Sequence, residues 1–279
     1  MVQYNRPISS REFKLMLNTN SFINRKEGIR KFSEILQFQL RNQNGEFEGE
    51  DDIEEKKRLT SYLDTNKYDL NAKKFLFRIR EEKEINEYNV TLKCRHPDRY
   101  VSALHDLSSP RKNMETKFEE DIISPFVSKF SLSAEYQDKR KPKIDTIGEL
   151  RSLFPGLDGL DNIPSTERLK KVNDFEAVEV SCEIGKIIFE NKKKKDINTY
   201  LNVWYVSSEE NTPVIIEFTY KYGAKAEDPH TESNGMLLEE FPRSLVRDGD
   251  KLYMSLQEHR IVDLDVAKTK TEYAYQYKK

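Results

Sequence analysis

The sequence has little glycine, little cysteine and no long apolar run. Its 279 residues include 10 glycines and 2 cysteines. It contains no Gly-rich phosphate loop of the Rossmann or P-loop kind, no G-x-S-x-G and no H-E-x-x-H motif, so these enzyme classes have little support. Cys94 and Cys182 show no pattern of a disulfide scaffold or a zinc site. Each lies in an apolar, strand-like run, where we expect a small buried residue.

No stretch approaches the roughly 20 apolar residues of a membrane-spanning helix, and the first ten residues lack the apolar core of a signal peptide. The 47 basic residues are nearly balanced by 49 acidic ones, which gives a net charge of -2. This balance argues against a protein that coats nucleic acid or an anionic membrane non-specifically. We therefore expect a cytoplasmic protein in which any anion site is a local concentration of basic groups. The oligomeric state stays open.

The sequence does contain many charged and aromatic residues, arranged in alternating patterns. Charged residues make up 34% of the chain, and it has 15 Phe and 14 Tyr, enough to build a sizeable core. Period-two alternation predicts strands at 12–17, 75–80, 89–94, 200–205 and 216–221, with further strands expected near 115–123, 176–190 and 250–262. Helices are expected at 25–40, 97–107 and 145–154.

The polar faces of these strands are rich in lysine and arginine. In FLFRIR, 75–80, aromatic and aliphatic side chains alternate with Leu76, Arg78 and Arg80. A sheet with one face in water would show the same alternation, and this stays open as an alternative. However, the basic residues outnumber the Thr, Ser and Gln typical of a wetted face, and amphipathic helices are available to cover the apolar faces. We therefore favour an α+β fold: an antiparallel closed β-barrel, or tunnel, with a charged lumen and helices packed outside.

The charged residues on these faces include both signs. The basic ones are Lys14, Arg78, Arg80, Lys93 and Lys221, and the acidic ones are Glu12, Glu119, Asp121 and Glu217. Unpaired cations in a lumen would cost several kcal/mol per desolvated ion unless water or a polyanion compensates them. Interspersed carboxylates and a bound phosphate chain would supply that compensation.

A set of short motifs resembles the pattern of a known family. In chain order they are SREFK (10–14), YLDT (62–65), FRIR (77–80), TLK (91–93), KFEED (117–121) and EFTYK (217–221). Their order and spacing resemble those of the triphosphate tunnel metalloenzymes, or CYTH superfamily, which includes class IV adenylyl cyclases and thiamine triphosphatases. The match is closest over residues 10 to 121. Ser10 and Thr219 depart from the pattern, because the family has carboxylates at these positions.

The resemblance implies a single tunnel domain over residues 1–279, with a loop-rich and helical insertion at about 125–170. It also implies cations that hold a polyphosphate and, at one end, carboxylates that hold Mg²⁺ or Mn²⁺. The phosphate-binding residues would be Lys14, Arg78, Arg80, Lys93, Lys221 and, on the family's mid-chain arginine strand, Lys186. The metal ligands would be Glu12, Glu119, Asp121 and Glu217. Asp64 of YLDT would be either a ligand or a residue that ends a strand through turn hydrogen bonds.

By resemblance, we expect an enzyme, a metal-dependent phosphohydrolase that acts on an inorganic or organic triphosphate, with its catalytic residues unassigned. Two alternatives stay open: a class IV-like adenylyl cyclase, and a non-catalytic protein that binds polyphosphate or nucleotide with a degenerate metal site. Ser10 and Thr219 favour the second alternative. The expected partner is a small molecule that contains a triphosphate. No membrane is expected as a partner, and no nucleic acid other than a 5′-triphosphate end.

Overall fold

The structure is a computed structural model that describes residues 6–50, 52–157, 160–189, 196–206, 212–223, 243–265 and 269–278. Its strands are β1 (Ser10–Met16), β2 (Gly45–Gly49), β3 (Glu55–Asp64), β4 (Phe75–Glu82), β5 (Glu87–His96), β6 (Glu115–Ile123), β7 (Val127–Asp138), β8 (Lys170–Phe189), β9 (Asp196–Tyr205) and β10 (Ile215–Gly223). Its helices are α1 (Arg25–Arg41), α2 (Asp69–Ala72), α3 (Arg99–Leu104), α4 (Ile147–Leu153), α5 (Arg243–Leu256) and α6 (Lys270–Gln276).

The strands close into a barrel. Its order is β8-β3-β4-β5-β7-β6-β1-β10-β9, and β9 pairs with β8 to complete the ring, while β2 is attached to β8 at the side. The predicted closed barrel is therefore confirmed. The expectation of a purely antiparallel barrel is corrected at one pair, since β1 and β6 run parallel. Parallel neighbours require a long crossover connection, here residues 17–114, and the alternation within a strand does not encode its partner.

The alternation in each strand separates an outer apolar face from the lumen. On β4, Phe75 and Phe77 are buried in the outer layer, while Arg78 and Arg80 face the lumen. The same holds on the strands that carry the other motifs, because successive side chains of a strand point to opposite faces of the sheet. Cys94 and Cys182 lie on outer faces as buried free thiols, as expected.

Helices cover the outer faces. The apolar stripe of α1, which includes Phe32 and Leu36, packs with Leu252 and Tyr253 of α5 against one side of the barrel. A second cluster, which includes Leu150 of α4, covers another side. None of the helices in the described ranges is long and apolar enough to span a membrane.

Two segments differ from the sequence prediction. The predicted strand at 250–262 is largely helix α5, whose buried Leu245, Gly249, Leu252, Tyr253 and Leu256 recur at helical spacing. The range 125–170, expected to be an insertion, contains the barrel strand β7, and only the part after β7, with α4, is rich in loops. The lumen face of β7 carries the small residues Ser131 and Ser133, so its alternation of polar and apolar residues is weak.

The C-terminal helix α6 packs over one end of the barrel. Its Ala274 and nearby tyrosines pack with Tyr62 of β3, Phe175 of β8 and Trp204 of β9. The Asn173 amide donates hydrogen bonds to the carbonyl oxygens of Ala274 and Tyr275 at 3.0 and 2.9 Å. The last described residues of the chain are thus fastened to the barrel.

Candidate ligand-binding site in the barrel lumen

The barrel lumen contains a cavity of about 510 Å³ lined mainly by polar and charged groups. This volume is in the range of roughly 300–1,000 Å³ that is typical of small-molecule sites. Its basic lining residues are Lys14, Arg58, Arg78, Arg80, Lys93, Arg95, Lys221 and Lys270, and its acidic ones are Glu12, Glu119, Glu135, Glu217, Asp263 and Asp265. The lumen is therefore a charged site with both signs present.

The structure brings together all the residues predicted for the site except Lys186. Asp121 lies immediately behind the cavity wall, and the other predicted residues line the cavity. Lys186 does not line it. A β-bulge between Glu183 and Gly185 shifts the register of β8 against β9, and Gly185 has a positive φ of 144°. Lys186 lies beyond this bulge, opposite Glu48 of β2 and Asn198 of β9.

Asp121 is the centre of one charge cluster, which we call the Asp121 centre, with Lys14, Lys93 and Arg95. Its oxygens accept from Lys14 Nζ at 2.9 Å, Arg95 at 2.9 Å, the Ser131 hydroxyl at 2.9 Å and Lys93 Nζ at 3.4 Å. Burial opposes its ionisation, but the three cations hold the pKa of Asp121 well below its usual range. Asp121 is therefore a buried carboxylate fully occupied by protein groups.

The two lysines of the Asp121 centre respond differently to their surroundings. Burial would lower the pKa of Lys14, but Asp121 and Glu12 outweigh this effect and raise it. Burial lowers the pKa of Lys93 to about 8, and Arg95 and Lys14 act in the same direction against Asp121. Lys14 is thus a firmly held cation, whereas Lys93 is the weakly compensated amine of the centre.

A second cluster, the Glu179 centre, contains Arg58, Arg80 and Lys270. Glu179 is fully buried, and its oxygens lie 2.6 Å from Arg58, 3.5 Å from Arg80 and 3.3 Å from Lys270 Nζ. The Trp204 indole donates a hydrogen bond to it at 2.7 Å. Burial opposes ionisation of Glu179, but the three cations hold its pKa well below its usual range.

Arg78 lies on β4 in the cavity wall, and the described residues place no carboxylate within ion-pair distance of it. Its hydrogen-bond partner is the Thr91 hydroxyl, 3.0 Å away. Burial, together with the nearby charge of Arg80, lowers the pKa of Arg78 to about 10. The buried Nε atoms of Arg58, Arg78 and Arg80 have no hydrogen-bond partner. Hydrogen bonds within the protein thus leave these three Nε donors unsatisfied, although Arg80 Nε lies 3.5 Å from Glu179 Oε1.

Ser10 and Thr219, where the family has carboxylates, also lie in or beside the lumen. The Ser10 hydroxyl donates a hydrogen bond to Glu119 at 2.8 Å, and Lys221 Nζ donates to the same oxygen at 2.8 Å. Burial opposes ionisation of Glu119, but Lys93 and Lys221 lower its pKa to about 2. A carboxylate at position 10 would face Glu119 directly, so the serine removes a like-charge contact that a metal ion would otherwise have to neutralise.

The four predicted metal ligands do not fit a Mg²⁺ or Mn²⁺ site. Each is paired with a lysine: Glu12 and Asp121 with Lys14, Glu119 with Lys221 and Glu217 with Lys270. Within the described ranges, no group of three or more His, Cys, Asp or Glu side chains could hold a metal ion. Hard divalent ions need several oxygen ligands at once, and here the ammonium groups compete for those oxygens.

Several functional residues were not predicted from the sequence. Arg95 continues the alternation of TLK, and Arg58 continues that of the strand that ends in YLDT, so extending both patterns would have found them. Glu179 lies directly opposite Arg58 across the β3–β8 pair. Lys270 has no such signal, because it comes from a helix outside the barrel.

Asp64 of YLDT has a structural role. Its carboxylate accepts hydrogen bonds from the backbone N–H groups of Thr65, Leu70 and Asn71 at 2.7 to 3.0 Å. The Tyr275 hydroxyl of α6 donates to it at 2.8 Å. Of the two roles considered for Asp64, the structure supports the one that ends a strand through turn hydrogen bonds.

The motifs that carry the family resemblance now have positions in space. SREFK lies on β1, YLDT at the end of β3, FRIR on β4, TLK on β5, KFEED on β6 and EFTYK on β10, all in the wall of one closed barrel. In this barrel the predicted cations other than Lys186 line one cavity, and the predicted carboxylates are paired with lysines.

Comparison with solved structures finds matches of low similarity. A putative adenylyl cyclase from Hippeastrum, described as having a dominant triphosphatase activity, aligns with 14% identity and a TM-score of 0.42 over 94% of this chain and 93% of its own. A putative adenylate cyclase from Bacillus halodurans aligns with 14% identity and a TM-score of 0.33 over 77% and 82%. A Pyrococcus horikoshii protein aligns with 13% identity and a TM-score of 0.34 over 94% of this chain and 96% of its own. Likeness at this level does not extend to activity or ligand.

No family model and no curated protein matches the sequence.

Proposed function

We propose that the lumen binds a triphosphate-containing compound, inorganic or organic, through its cation wall and without a divalent metal ion. The observation that carries this proposal is Arg78, a guanidinium in the cavity wall that pairs with no carboxylate of the described residues. A buried cation without a counter-charge is costly, so an anion that enters the lumen gains more there than in water.

The chemistry of the unused donors favours phosphate. Arg58, Arg78 and Arg80 lie on the neighbouring strands β3 and β4, and each keeps a buried Nε without a hydrogen-bond partner, although that of Arg80 lies 3.5 Å from Glu179. Planar guanidinium groups fork onto pairs of non-bridging phosphate oxygens, and such charge-assisted hydrogen bonds are the stronger kind. Several cations distributed along one wall suit a chain of phosphates.

Hydrolysis, which the family resemblance implies, is the second candidate function. Glu12, Glu119 and Glu217 line the same cavity as the cations, so carboxylates and a bound phosphate chain would share one space. Because each of these carboxylates is paired with a lysine, we rank binding before turnover.

The test measures tripolyphosphate binding by calorimetry in EDTA, for the wild type and for Arg78→Gln. We expect binding by the wild type and a loss of about tenfold or more in affinity for Arg78→Gln, the usual size of a lost hydrogen bond to a charged group. Arg140→Gln is the matched control, because the Arg140 side chain is 92% exposed. Lys186→Gln tests the remaining predicted residue and should leave the affinity unchanged, since Lys186 lies outside the cavity.

A parallel assay separates the binder from the enzymes. Phosphate release from tripolyphosphate or ATP, or formation of cyclic AMP, with Mg²⁺ or Mn²⁺ would establish the hydrolase or the cyclase instead of a non-catalytic protein. Absence of tripolyphosphate and ATP binding in EDTA would overturn the proposal, and binding that appears only with Mg²⁺ or Mn²⁺ would show that the site needs a metal ion.

A further inference from the structure

The Lys270 ammonium lies between two buried carboxylates that come from different strands of the barrel. Its Nζ is 2.8 Å from Glu217 Oε1 on β10 and 3.3 Å from Glu179 Oε2 on β8. The same Nζ lies over the ring of Trp204, 5.7 Å from the ring centroid. Lys270 itself is only 9% exposed. A single positive charge therefore bridges two acids that have little exposure to solvent.

The two carboxylates do not depend on Lys270 equally. Glu179 keeps Arg58 and Arg80 as further ion-pair partners. For Glu217, Lys270 is the ion-pair partner that the described residues supply. Burial and the charge of Glu179 both oppose ionisation of Glu217, and Lys270 and Lys14 nevertheless lower its pKa. Without Lys270, Glu217 would be a buried carboxylate facing a second one.

Two converging buried carboxylates are also what a hard divalent ion would require, since such ions bind through several carboxylate oxygens. Glu217 was predicted to be a metal ligand by family resemblance, whereas Glu179 was not. The structure places an ammonium where the two acids converge. The cation belongs to the protein and is delivered by its own C-terminal helix.

We propose that Lys270 is a resident cation that replaces a divalent metal ion between Glu217 and Glu179, so that this end of the lumen is neutralised only while α6 is docked. Hydrogen bonds hold α6 in place: the Tyr275 hydroxyl donates to Asp64, and the Asn173 amide donates to two backbone carbonyls of α6. Neutralisation of the lumen and closure of the barrel end are therefore one event. This inference stands whether or not the lumen binds a phosphate chain.

The test removes the charge and offers a metal ion in its place. Lys270→Met keeps the length of the aliphatic chain and leaves Glu217 and Glu179 without their shared cation. In EDTA we expect its Tm to fall by about 6 °C or more, since removing one partner leaves buried charge uncompensated. Mn²⁺ should restore much of this loss, and electron paramagnetic resonance should show one Mn²⁺ bound by the variant and none by the wild type. Lys251→Met is the matched control, because Lys251 is an exposed lysine of α5.

A double variant identifies the ligands and covers a failure to fold. Lys270→Met with Glu217→Gln should be more stable in EDTA than Lys270→Met alone and should bind no Mn²⁺. If Lys270→Met does not fold but the double variant does, the result supports the same charge relation. The proposal is overturned if the wild type binds Mn²⁺ as well as Lys270→Met does, if Mn²⁺ fails to stabilise a folded Lys270→Met, or if neither variant folds.

Discussion

The Asp121 centre and the Glu179 centre both keep a buried carboxylate ionised, but they use different parts of the chain to do so. Each places one buried carboxylate among three cations, and in each the cations outweigh burial and keep the acid ionised. In the Asp121 centre all the cations, Lys14, Lys93 and Arg95, come from barrel strands. In the Glu179 centre, Lys270 comes from α6, at the far end of the chain.

This difference shows which part of the lumen is fixed by the barrel and which depends on its closure. Strand pairing alone positions the Asp121 centre, since Lys14 lies on β1, Lys93 and Arg95 lie on β5 and Asp121 lies on β6, all of them barrel strands. The Glu179 centre is complete only when a helix outside the barrel has packed onto its end. We therefore expect the first to behave as part of the core and the second to respond to changes in α6.

The largest effect is expected from Asp121→Asn. This change leaves Lys14, Lys93 and Arg95 as three buried cations with reduced compensation, and it should lower the free energy of unfolding by about 3–5 kcal/mol. Urea denaturation measures it, with Asp161→Asn as the control because Asp161 is exposed. Amide hydrogens of α6 that exchange by local opening, and not by global unfolding, should keep their exchange rates. A faster exchange confined to α6 would show that the two centres are not separate.

An intermediate effect is expected from pH acting on Lys93 within the Asp121 centre. The folded pKa is about 8, below the value of roughly 10.4 in an unfolded chain. Between these two values the unfolded chain holds a proton that the folded protein has lost, so stability rises with pH. The protonated amine destabilises the fold below pH 8. Relative to Lys93→Met, the wild type should gain about 2 kcal/mol between pH 8 and 10.

Urea denaturation at several pH values checks this expectation. Because the comparison is between two proteins in the same buffer, titration of other groups cancels to first order. Parallel stability curves for the wild type and Lys93→Met would contradict the weak compensation of Lys93. Lys251→Met, at an exposed lysine, should give a curve parallel to the wild type.

The smallest effect is expected from Tyr275→Phe, which removes the hydrogen bond from α6 to Asp64. Asp64 keeps its backbone donors, so the expected loss of stability is about 1 kcal/mol. The sharper readout is local: amides of α6 should exchange faster, while those of β1 and β6 should not. Tyr277→Phe, at a neighbouring tyrosine packed on Phe175, is the control. Equal exchange in the two variants would show that the Asp64 contact does not hold α6 in place.

The sequence predicted more of the barrel wall than of its closure. Alternation of period two assigned Arg78 and Arg80 to one face and Phe75 and Phe77 to the other, because side-chain direction in a strand follows directly from position. The family resemblance, which suggested Lys186, did not locate a lumen residue there, since Lys186 lies beyond the bulge at Gly185 of β8. Alternation failed for the strand expected at 250–262, where the apolar residues recur at the spacing of a helix.

The ion pairs inside the lumen were harder to predict from the sequence than the faces of the strands. The sequence showed that cations and carboxylates share the polar faces, and it showed that Ser10 and Thr219 weaken the expected metal site. Glu12 and Lys14 lie two residues apart on β1, but the sequence could not show that Glu119, Asp121 and Glu217 each pair with a lysine, because those contacts depend on which strands and helices are close in the fold. The parallel pairing of β1 with β6 brings Lys14 to Asp121, for example.

The sequence by itself favoured a closed barrel over a sheet with one face in water, and it determined which strand residues share a face and hence most of the cations that line the lumen. These follow from local periodicity, which a strand converts into direction without help from the rest of the chain. Only the tertiary structure decided that Lys270 supplies the cation between Glu217 and Glu179. The reason is physical: that contact joins three residues from β8, β10 and α6, and no pattern within any one of them specifies where the others lie.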